Sequence, residues 1–222
     1  MSKIKCIVID TLNGIQDKQY SAEKQKPNFD KWRDYGIGVY NHIKQLQSLG
    51  FEIFLILGYE GSGKSYGMKN LEAGTCIWYN ADGKNPTWSG GREIFGTKNK
   101  PTEFQVLPND YSDIVNDIKK RGSGVFADTR VAFILGHIDD YKSGYDTRQR
   151  LKLLGNLARN LSVEGLMENV LYSEVSMDGD KRKYYFRTKN SGVDTCRSIE
   201  DLFEAEQIPN DFKYILDRLE KY

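Results

Sequence analysis

The feature that most constrains this chain is a glycine-rich segment at residues 58–65, Gly-Tyr-Glu-Gly-Ser-Gly-Lys-Ser, which we call the glycine loop. The apolar residues 51–57 before it predict a buried strand, and residues 64–71 predict a helix. Glycines allow successive backbone N–H groups to converge, and a helix N-terminus adds partial positive charge. A strand, a loop and a helix in this order therefore predict a site for the phosphates of ATP or GTP. A chance match to the pattern is the alternative, and this context argues against it.

The glycine loop supplies most of the candidate nucleotide contacts. Lys64 is expected to reach the β- and γ-phosphates, and Ser65 is expected to ligate Mg²⁺. The predicted cofactors are therefore ATP and Mg²⁺. The predicted nucleotide-binding residues are Gly58, Gly61, Ser62, Gly63, Lys64, Ser65 and Tyr66.

An acidic residue ends the first apolar run of the chain. Residues 4–9 predict a strand, and Asp10 follows it directly. Beside a phosphate-binding loop, an aspartate at this point is expected to hold Mg²⁺ through a water molecule. The alternative is a simple cap at the end of a strand. The glycine loop favours the magnesium role, so Ser65 and Asp10 are the candidate metal-binding residues.

Two further polar residues follow predicted strands. Asp82 comes after residues 75–79, where a carboxylate can orient the water that attacks a γ-phosphate, although an aspartate before Gly83 also suits a turn. His137 comes after residues 131–135, at the edge where open α/β sheets bind ligands. It is expected to sense the γ-phosphate, and a structural histidine is the alternative. The candidate catalytic residues are Lys64, Asp82 and His137.

Length and composition limit the class of protein. A chain of 222 residues suits one α/β domain, residues 1–222. A net charge of +1 gives no global field that would attract nucleic acid, so any such contact needs a local patch. The three cysteines form no CxxC pair, which argues against zinc and disulfides. The apolar run at residues 4–9 is too short for a signal peptide or a membrane span, so we expect a cytoplasmic protein with no membrane partner.

The order of patterns along the chain predicts an α/β fold. Four short apolar runs, rich in Val, Ile and Phe, read as buried parallel strands: residues 4–9, 51–57, 75–79 and 131–135. Segments with helical spacing separate them: residues 29–49, 64–71 and 111–120. Strands alternating with helices predict a parallel sheet covered by helices on both faces. Two glycine- and lysine-rich loops, at residues 83–101 and 122–124, interrupt the pattern.

The last quarter of the chain follows a different pattern. Residues 169–175 and 183–188 predict two antiparallel strands joined by a turn at residues 177–180. A final helix is expected at residues 211–221, with Asn210 or Asp211 as its cap.

Two basic residues lie at the end of this predicted hairpin. Arg187 and Lys189 are candidates for contact with the nucleotide of a neighbouring subunit, in the manner of arginine fingers. Contact with a DNA backbone and simple exposure to solvent are the alternatives.

These residues together give the chain a resemblance to phage-encoded RecA-like ATPases of the single-strand-annealing recombinase type. The resemblance covers nearly the whole chain. In the core it is carried by ILGYEGSGKSYGMKNL, YNADGKNPTWSGG, CIVIDTLNGI, FDKWRDY and FILGHIDDY. In the tail it is carried by RLKLLGNLARNLSVEGLMENVLYSEV, KYYFRTKNSGVDTCRS and IPNDF.

The resemblance implies a RecA-like P-loop fold and the roles of several residues. Lys64 and Ser65 match the Walker A pair, and Asp10 matches the Walker B acid. Asp82 matches the acidic residue that activates water, and His137 matches the polar sensor. The resemblance also implies binding of ATP and ADP, contact with single-stranded DNA, and a homo-oligomer in which Arg187 and Lys189 act across the interface. The expected setting is phage recombination or replication in the cytoplasm of the host cell.

The order of the segments departs from this family. There the Walker B strand follows the helix that corresponds to residues 111–121, whereas here it comes first, in residues 1–50. At the vacated position the chain has Gly-Ser-Gly at residues 122–124, between the Walker A unit, 51–121, and the remaining core and tail, 125–222. Gly/Ser segments are common engineered joints, so the pattern favours a deliberate relocation of one strand and helix over a natural variant. Asp10 should still lie beside Ser65, because a site depends on where strands end.

Two other functions remain open from the sequence. A non-catalytic scaffold would bind ATP without turnover. A P-loop kinase would need a lid with several arginines, of which Arg148 and Arg150 offer only a weak version. Turnover of ATP with and without single-stranded DNA separates these possibilities.

Overall fold

The computed structural model describes residues 3–22, 30–153 and 163–222. Its strands are β1 Ile4–Asp10, β2 Phe51–Gly58, β3 Cys76–Asn80, β4 Gly96–Thr97, β5 Lys100–Pro101, β6 Gln105–Val106, β7 Phe126–Ser143, β8 Asp146–Leu151, β9 Asn169–Asp178, β10 Lys181–Arg187 and β11 Gln207–Pro209. Its α-helices are α1 Leu12–Ala22, α2 Asp30–Ser48, α3 Gly91–Phe95, α4 Tyr111–Arg121 and α5 Phe212–Leu219. Three short 3₁₀ helices occupy Ser65–Asn70, Ser123–Val125 and Glu164–Leu166.

One mixed sheet organises the described residues. It has nine strands, eight of them in the order β11-β10-β9-β2-β7-β1-β3-β6, and β8 pairs with β7. The six strands from β9 to β6 in this order are all mutually parallel. The strand β10 pairs antiparallel with β9, which forms the hairpin predicted for the tail, and β11 pairs antiparallel with β10 at the edge of the sheet. The prediction of an α/β fold with a mostly parallel sheet is therefore confirmed.

Strand β1 lies inside this sheet although it comes first in the chain. It pairs with β7 on one side and β3 on the other, and β7 also pairs with β2. Asp10 is opposite Leu135 of β7, and Gly58 is opposite His137. The ends of β1, β7 and β2 therefore meet at the same edge, as the sequence predicted, with one strand between Asp10 and the glycine loop.

Helices cover both faces of the sheet because the side chains of each buried strand alternate between two cores. In β1, Ile7 and Ile9 join a core that includes residues of α1, α2 and α4. Cys6 and Val8 join the opposite core, which includes residues of the 3₁₀ helix Ser65–Asn70 and of α5. The start of the predicted helix at residues 29–49 is outside the described residues, and α2 accounts for the part from Asp30 onwards.

The segment after the glycine loop differs from the prediction. Instead of an α-helix at residues 64–71, the chain forms the 3₁₀ helix Ser65–Asn70. Gly67 lowers helix propensity, and a Cβ at this position would lie 2.8 Å from the Phe212 ring. The backbone thus packs directly on α5, which favours a short, tight turn.

The two loops rich in glycine and lysine are more ordered than predicted. Residues 83–101 contain α3 and the strand pair β4–β5. Residues 123–125 form an exposed 3₁₀ turn, after Gly122 ends α4 with a φ of 80°. The next residue, Phe126, pairs with Ile4 at the amino end of β1. The Gly-Ser-Gly segment therefore lies at the end of the sheet away from Asp10.

Two other parts of the chain contain more regular structure than the sequence predicted. Strand β7 continues to Ser143 and turns into β8, which forms a second antiparallel hairpin. The helix α1, directly after Asp10, was not predicted. At the tail, Asp211 is the N-cap of α5, because its carboxylate accepts a hydrogen bond from the backbone N–H of Lys213.

Within the described part of the chain, no helix is long and apolar enough to cross a membrane.

Candidate functional site

A cavity of about 570 Å³ opens at the carboxyl edge of the sheet. It brings together predicted site residues from four separate parts of the sequence. Its lining residues are Asp10, Thr11, Glu60, Gly61, Gly63, Lys64, Ser65, Tyr66, Asp82, Lys84, Thr87, His137 and Tyr184. We call it the loop cavity, because the glycine loop forms one wall.

Two predicted nucleotide-binding residues are not among the residues that line the loop cavity. A Cβ at Gly58 would lie 2.4 Å from Ser62 Oγ and 2.7 Å from the backbone oxygen of Ser173, so this glycine allows close packing against β9. Ser62 faces a neighbouring cavity, and its backbone oxygen accepts a hydrogen bond from Ser173 Oγ at 2.8 Å. In the structure, both residues therefore pack the glycine loop against β9 and are not part of the cavity lining.

The predicted metal-binding pair is in direct contact. Ser65 Oγ donates a hydrogen bond to Asp10 Oδ2 at 2.8 Å, across 55 positions of sequence. Asp10 is buried, and this burial raises the pKa of its carboxyl to about 6. The peptide bond between Asp10 and Thr11 is cis.

The oxygen atoms of this pair fit Mg²⁺. A carboxylate and a hydroxyl are ligands that Mg²⁺ takes, with water and substrate phosphates in its other positions. The described residues contain no group of three or more His, Cys, Asp or Glu side chains able to hold a metal. A magnesium site of the proposed kind needs no such group, because Asp10 and Ser65 would hold the ion together with phosphate oxygens.

Lys64 lines the loop cavity and is buried. Its Nζ donates hydrogen bonds of 2.8 Å to the backbone oxygens of Gly58 and Tyr59. Burial lowers the pKa of this ammonium to about 8. The carboxylate of Asp10 balances the buried charge of Lys64 only in part. An anion bound in the cavity would supply the rest.

His137 lies beside Lys64. Its Nδ1 is 3.4 Å from Lys64 Nζ, and its backbone N–H donates to Asn13 Oδ1 at 3.0 Å. Burial, followed by the positive charge of Lys64, lowers the pKa of the imidazole. A neutral ring is therefore favoured near pH 7, and its Nδ1 can accept a hydrogen bond from Lys64.

Asp82 also lines the loop cavity, and two side chains donate hydrogen bonds to it. Thr11 Oγ1 donates to Asp82 Oδ1 at 3.0 Å, and Lys84 Nζ donates to Asp82 Oδ2 at 2.7 Å. The sequence analysis missed both donors. Each lies within two positions of a candidate acid, which is a pattern that could have indicated them.

Tyr184 is a third residue that the sequence analysis missed. A Cβ at Gly63 would lie 2.5 Å from the Tyr184 ring, and Gly63 has a φ of 88°. The rings of Tyr184 and Tyr66 have centroids 5.6 Å apart. The hairpin of β9 and β10 therefore packs against the glycine loop. No local sequence pattern indicated this contact.

The basic residues predicted on the hairpin are not part of the loop cavity. Arg187 Nε donates to Glu174 Oε1 at 2.8 Å, and another guanidinium nitrogen lies 2.8 Å from Asp194 Oδ2. A further nitrogen donates to the backbone oxygen of Lys189 at 2.7 Å. Arg187 thus uses its donors within its own chain, whereas Lys189 is exposed.

The fold and site define a protein class only at a coarse level. The chain is an α/β protein whose mostly parallel sheet gathers a lysine, a serine hydroxyl and two aspartates at its carboxyl edge. Comparisons of the chain with protein-family models, with curated proteins and with solved structures find no match. Function is therefore argued from the site itself.

Proposed function

We propose that this chain is an ATP-binding, RecA-like P-loop ATPase that acts with Mg²⁺ and is related to phage single-strand-annealing recombinases. The observation that carries the proposal is the 2.8 Å contact between Ser65 and Asp10 in the cavity that Lys64 also lines. Three residues from two distant segments form the arrangement that the glycine-loop pattern requires for a nucleotide and its metal.

The proposed binding roles follow from these positions. Backbone N–H groups of Gly61 and Gly63 face the phosphates, and Lys64 supplies an ammonium to the β- and γ-phosphates. Asp10 and Ser65 hold Mg²⁺, which neutralises charge on the phosphate oxygens when bound. The energy that burial costs Lys64 and Asp10 in the free protein is offset when their charges meet these partners.

The proposed reaction is hydrolysis of ATP to ADP and phosphate. Asp82 orients a water molecule, whose oxygen forms a bond to the γ-phosphorus while the bond to the bridging oxygen of ADP breaks. The electron pair of that bond goes to ADP, and Asp82 accepts the proton from the water. His137 contacts the γ-phosphate from the end of the buried part of β7 and responds to its loss.

Single-stranded DNA is the proposed macromolecular partner. The tip of the β9–β10 hairpin carries Lys181, Arg182 and Lys183, all exposed, and Tyr145 is fully exposed at the turn between β7 and β8. Exposed basic side chains and an exposed aromatic ring are the groups that suit the phosphates and unstacked bases of a single strand. A homo-oligomer is proposed as well, with the exposed Lys189 as the candidate for a contact across subunits.

The second candidate is a scaffold that binds ATP without turning it over. The order of the segments favours it, because β1 comes first in the chain, whereas in the family that the chain resembles the Walker B strand follows the helix that corresponds to α4, where this chain has Gly-Ser-Gly. The internal ion pairs of Arg187 also favour it, since they remove one candidate for a contact across subunits. In a kinase, by contrast, Arg148 and Arg150 would need to reach the loop cavity, and neither lines it.

One experiment separates these functions. ATP turnover is measured with Mg²⁺, with and without single-stranded DNA, while the molar mass in solution is measured by size-exclusion chromatography with light scattering. DNA-stimulated turnover supports the recombinase-type ATPase, and binding without turnover supports the scaffold. Absence of both binding and turnover would contradict the proposal.

A further inference from the structure

We propose that Lys84 is a second phosphate-binding cation, which moves from Asp82 to the γ-phosphate when ATP binds. The inference rests on the proposed function and assigns a residue to it that neither the glycine loop nor the strand ends predicted. Lys84 lies two residues after Asp82 and lines the loop cavity. It also lines an adjoining cavity of about 460 Å³, so it stands at the boundary between the two.

The backbone of Lys84 is fixed by a buried amide. Asn80, fully buried at the end of β3, accepts a hydrogen bond from the Lys84 N–H at 3.1 Å and donates to its backbone oxygen at 2.6 Å. Asn80 Nδ2 also donates to Gln105 Oε1 at 2.7 Å, and Gln105 donates to the backbone oxygen of Phe95 at 2.6 Å. Buried side-chain amides therefore tie the base of Lys84 to the sheet.

The side chain of Lys84, unlike its backbone, is held by a largely exposed contact. Its Nζ is 2.7 Å from Asp82 Oδ2, but 69% of the side chain is exposed, compared with 13% for Asp82. An ion pair with one partner largely in water contributes little to stability, because solvent screens it. A γ-phosphate, which carries more negative charge than one carboxylate, can therefore compete for this ammonium.

The charge of Lys84 already acts on the groups of the loop cavity. It lowers the pKa of Lys64 and of His137, and it lowers the pKa of Asp10, although burial is the larger influence on all three. A nearby positive charge lowers the pKa of other ionisable groups, as Lys84 does for these three. These shifts place the ammonium within electrostatic reach of the position that the other residues assign to the phosphates.

A move of Lys84 would have two effects. Positive charge would reach the phosphate oxygens, where negative charge accumulates during transfer. The position on Asp82 Oδ2 that Lys84 occupies would become open to a water molecule, while Thr11 continues to hold Oδ1. Lys84 would thus couple recognition of the γ-phosphate to the release of Asp82 for its role as a base.

The test compares affinities for two nucleotides in three variants. Dissociation constants for ADP and for a non-hydrolysable ATP analogue, both with Mg²⁺, are measured by calorimetry for the wild type, Lys84→Ala and Lys84→Arg. Lys98→Ala is the matched control, because Lys98 is exposed on the same segment and lies outside the loop cavity. Thermal unfolding of each variant shows that the fold is retained.

The expected result is a selective loss. Lys84→Ala should weaken binding of the ATP analogue about tenfold or more while ADP affinity changes less than about twofold, as for one charge-assisted hydrogen bond. Lys84→Arg should recover part of the loss, and Lys98→Ala should match the wild type. Equal effects on ADP and the ATP analogue, or no effect on either, would overturn the role of Lys84 but not the proposed function. A wild type that binds neither nucleotide would overturn both.

Discussion

At the scale of single residues, the loop cavity holds ionisable groups whose charged forms are disfavoured in the free protein. Burial raises the pKa of Asp10 to about 6 and lowers that of Lys64 to about 8. Shifts of this direction and cause cluster at functional sites, although ion pairs in structural networks produce them as well. Here the two groups share one cavity with Ser65, which favours the functional explanation.

The contact between Ser65 and Asp10 could be predicted from the sequence, because the carboxyl ends of parallel strands meet at one edge. The contacts of Thr11 and Lys84 with Asp82 could not, since they depend on the paths of the chain after β1 and β3. Tyr184 was beyond prediction for a related reason: the tilt of a hairpin relative to a loop is set by tertiary packing.

The proposed base predicts a loss of turnover without a loss of binding. Asp82→Asn removes the carboxylate that accepts the proton, so the kcat for ATP should fall by about 10² to 10⁴-fold. The dissociation constant for ADP should stay within about threefold. Steady-state kinetics and nucleotide titration check both values, and turnover at the wild-type rate would show that Asp82 is not the base.

The proposed metal ligand predicts a different pattern. Asp10→Asn keeps the shape of the side chain and can still accept from Ser65, but it removes a charge that would hold Mg²⁺. The gain in ATP affinity on adding Mg²⁺ should therefore shrink by about tenfold or more, whereas affinity without Mg²⁺ should change little. Titration of a fluorescent ATP analogue with Mg²⁺ or with EDTA measures this gain; an undiminished gain contradicts the metal role.

At the scale of elements, strands were predicted better than the segments that join them. The apolar runs of β1, β2 and β3 are buried on both faces and stand out from polar surroundings. The far end of β7 mixes Asp139, Asp140 and Lys142 with apolar residues, because it leaves the sheet as an exposed hairpin, so its pattern resembles a loop. The 3₁₀ helix Ser65–Asn70 was mistaken for an α-helix because the packing of Gly67 against α5 is a tertiary constraint.

The contact between α2 and α4 predicts a pH-dependent stability. His42 of α2 is buried and stacks on Tyr111 of α4, with ring centroids 4.9 Å apart. Burial lowers the pKa of its imidazole to about 4, and neither ring nitrogen has a hydrogen-bond partner among the described residues. Between this value and the ordinary pKa of about 6.5, the unfolded chain binds the proton more tightly than the folded protein. The contribution of His42 to stability should therefore decrease as the pH falls through this window.

His42→Phe should remove this dependence while keeping the stacked ring. Between pH 7.5 and pH 5, the wild type should lose about 2 kcal/mol more of its free energy of unfolding than the variant. Urea unfolding at several pH values measures the difference. Parallel losses in the two proteins would show that His42 is not held in its neutral form.

At the scale of the whole molecule, β1 comes first in the chain but lies inside the sheet, between β7 and β3. Asp10 lies beside Ser65, because the site is set by the ends of strands that pair through β7. The sequence predicted that Asp10 lies beside Ser65, because Asp10 directly follows the apolar run at residues 4–9. The first residues of β1, β2 and β7 also lie close together. Ile4 pairs with Phe126, and the rings of Phe51 and Phe126 have centroids 5.6 Å apart.

This proximity predicts that a second order of segments will fold. Residues 3–49 moved to lie between Arg121 and Val125, without residues 122–124, should give a chain with the same sheet and equal or slightly higher stability. The gain should be at most about 1 kcal/mol, because removing flexible glycines lowers the entropy of the unfolded chain. Chemical unfolding and nucleotide titration of both orders test this, and a restored order that does not fold would contradict the account of the joint.

The most direct test of the central claim is calorimetric titration of ATP with Mg²⁺ into the wild type, Lys64→Met and a control. Methionine preserves the apolar stem of Lys64 and removes only its ammonium, and Lys120→Met is a matched change at an exposed residue in the last turn of α4. We predict that the wild type and the control bind ATP with equal affinity. Lys64→Met should weaken binding by about 10- to 100-fold, as expected for a lost charge-assisted contact, and should remain folded. Equal affinity of Lys64→Met and the wild type would contradict the assignment of the glycine loop as a phosphate site.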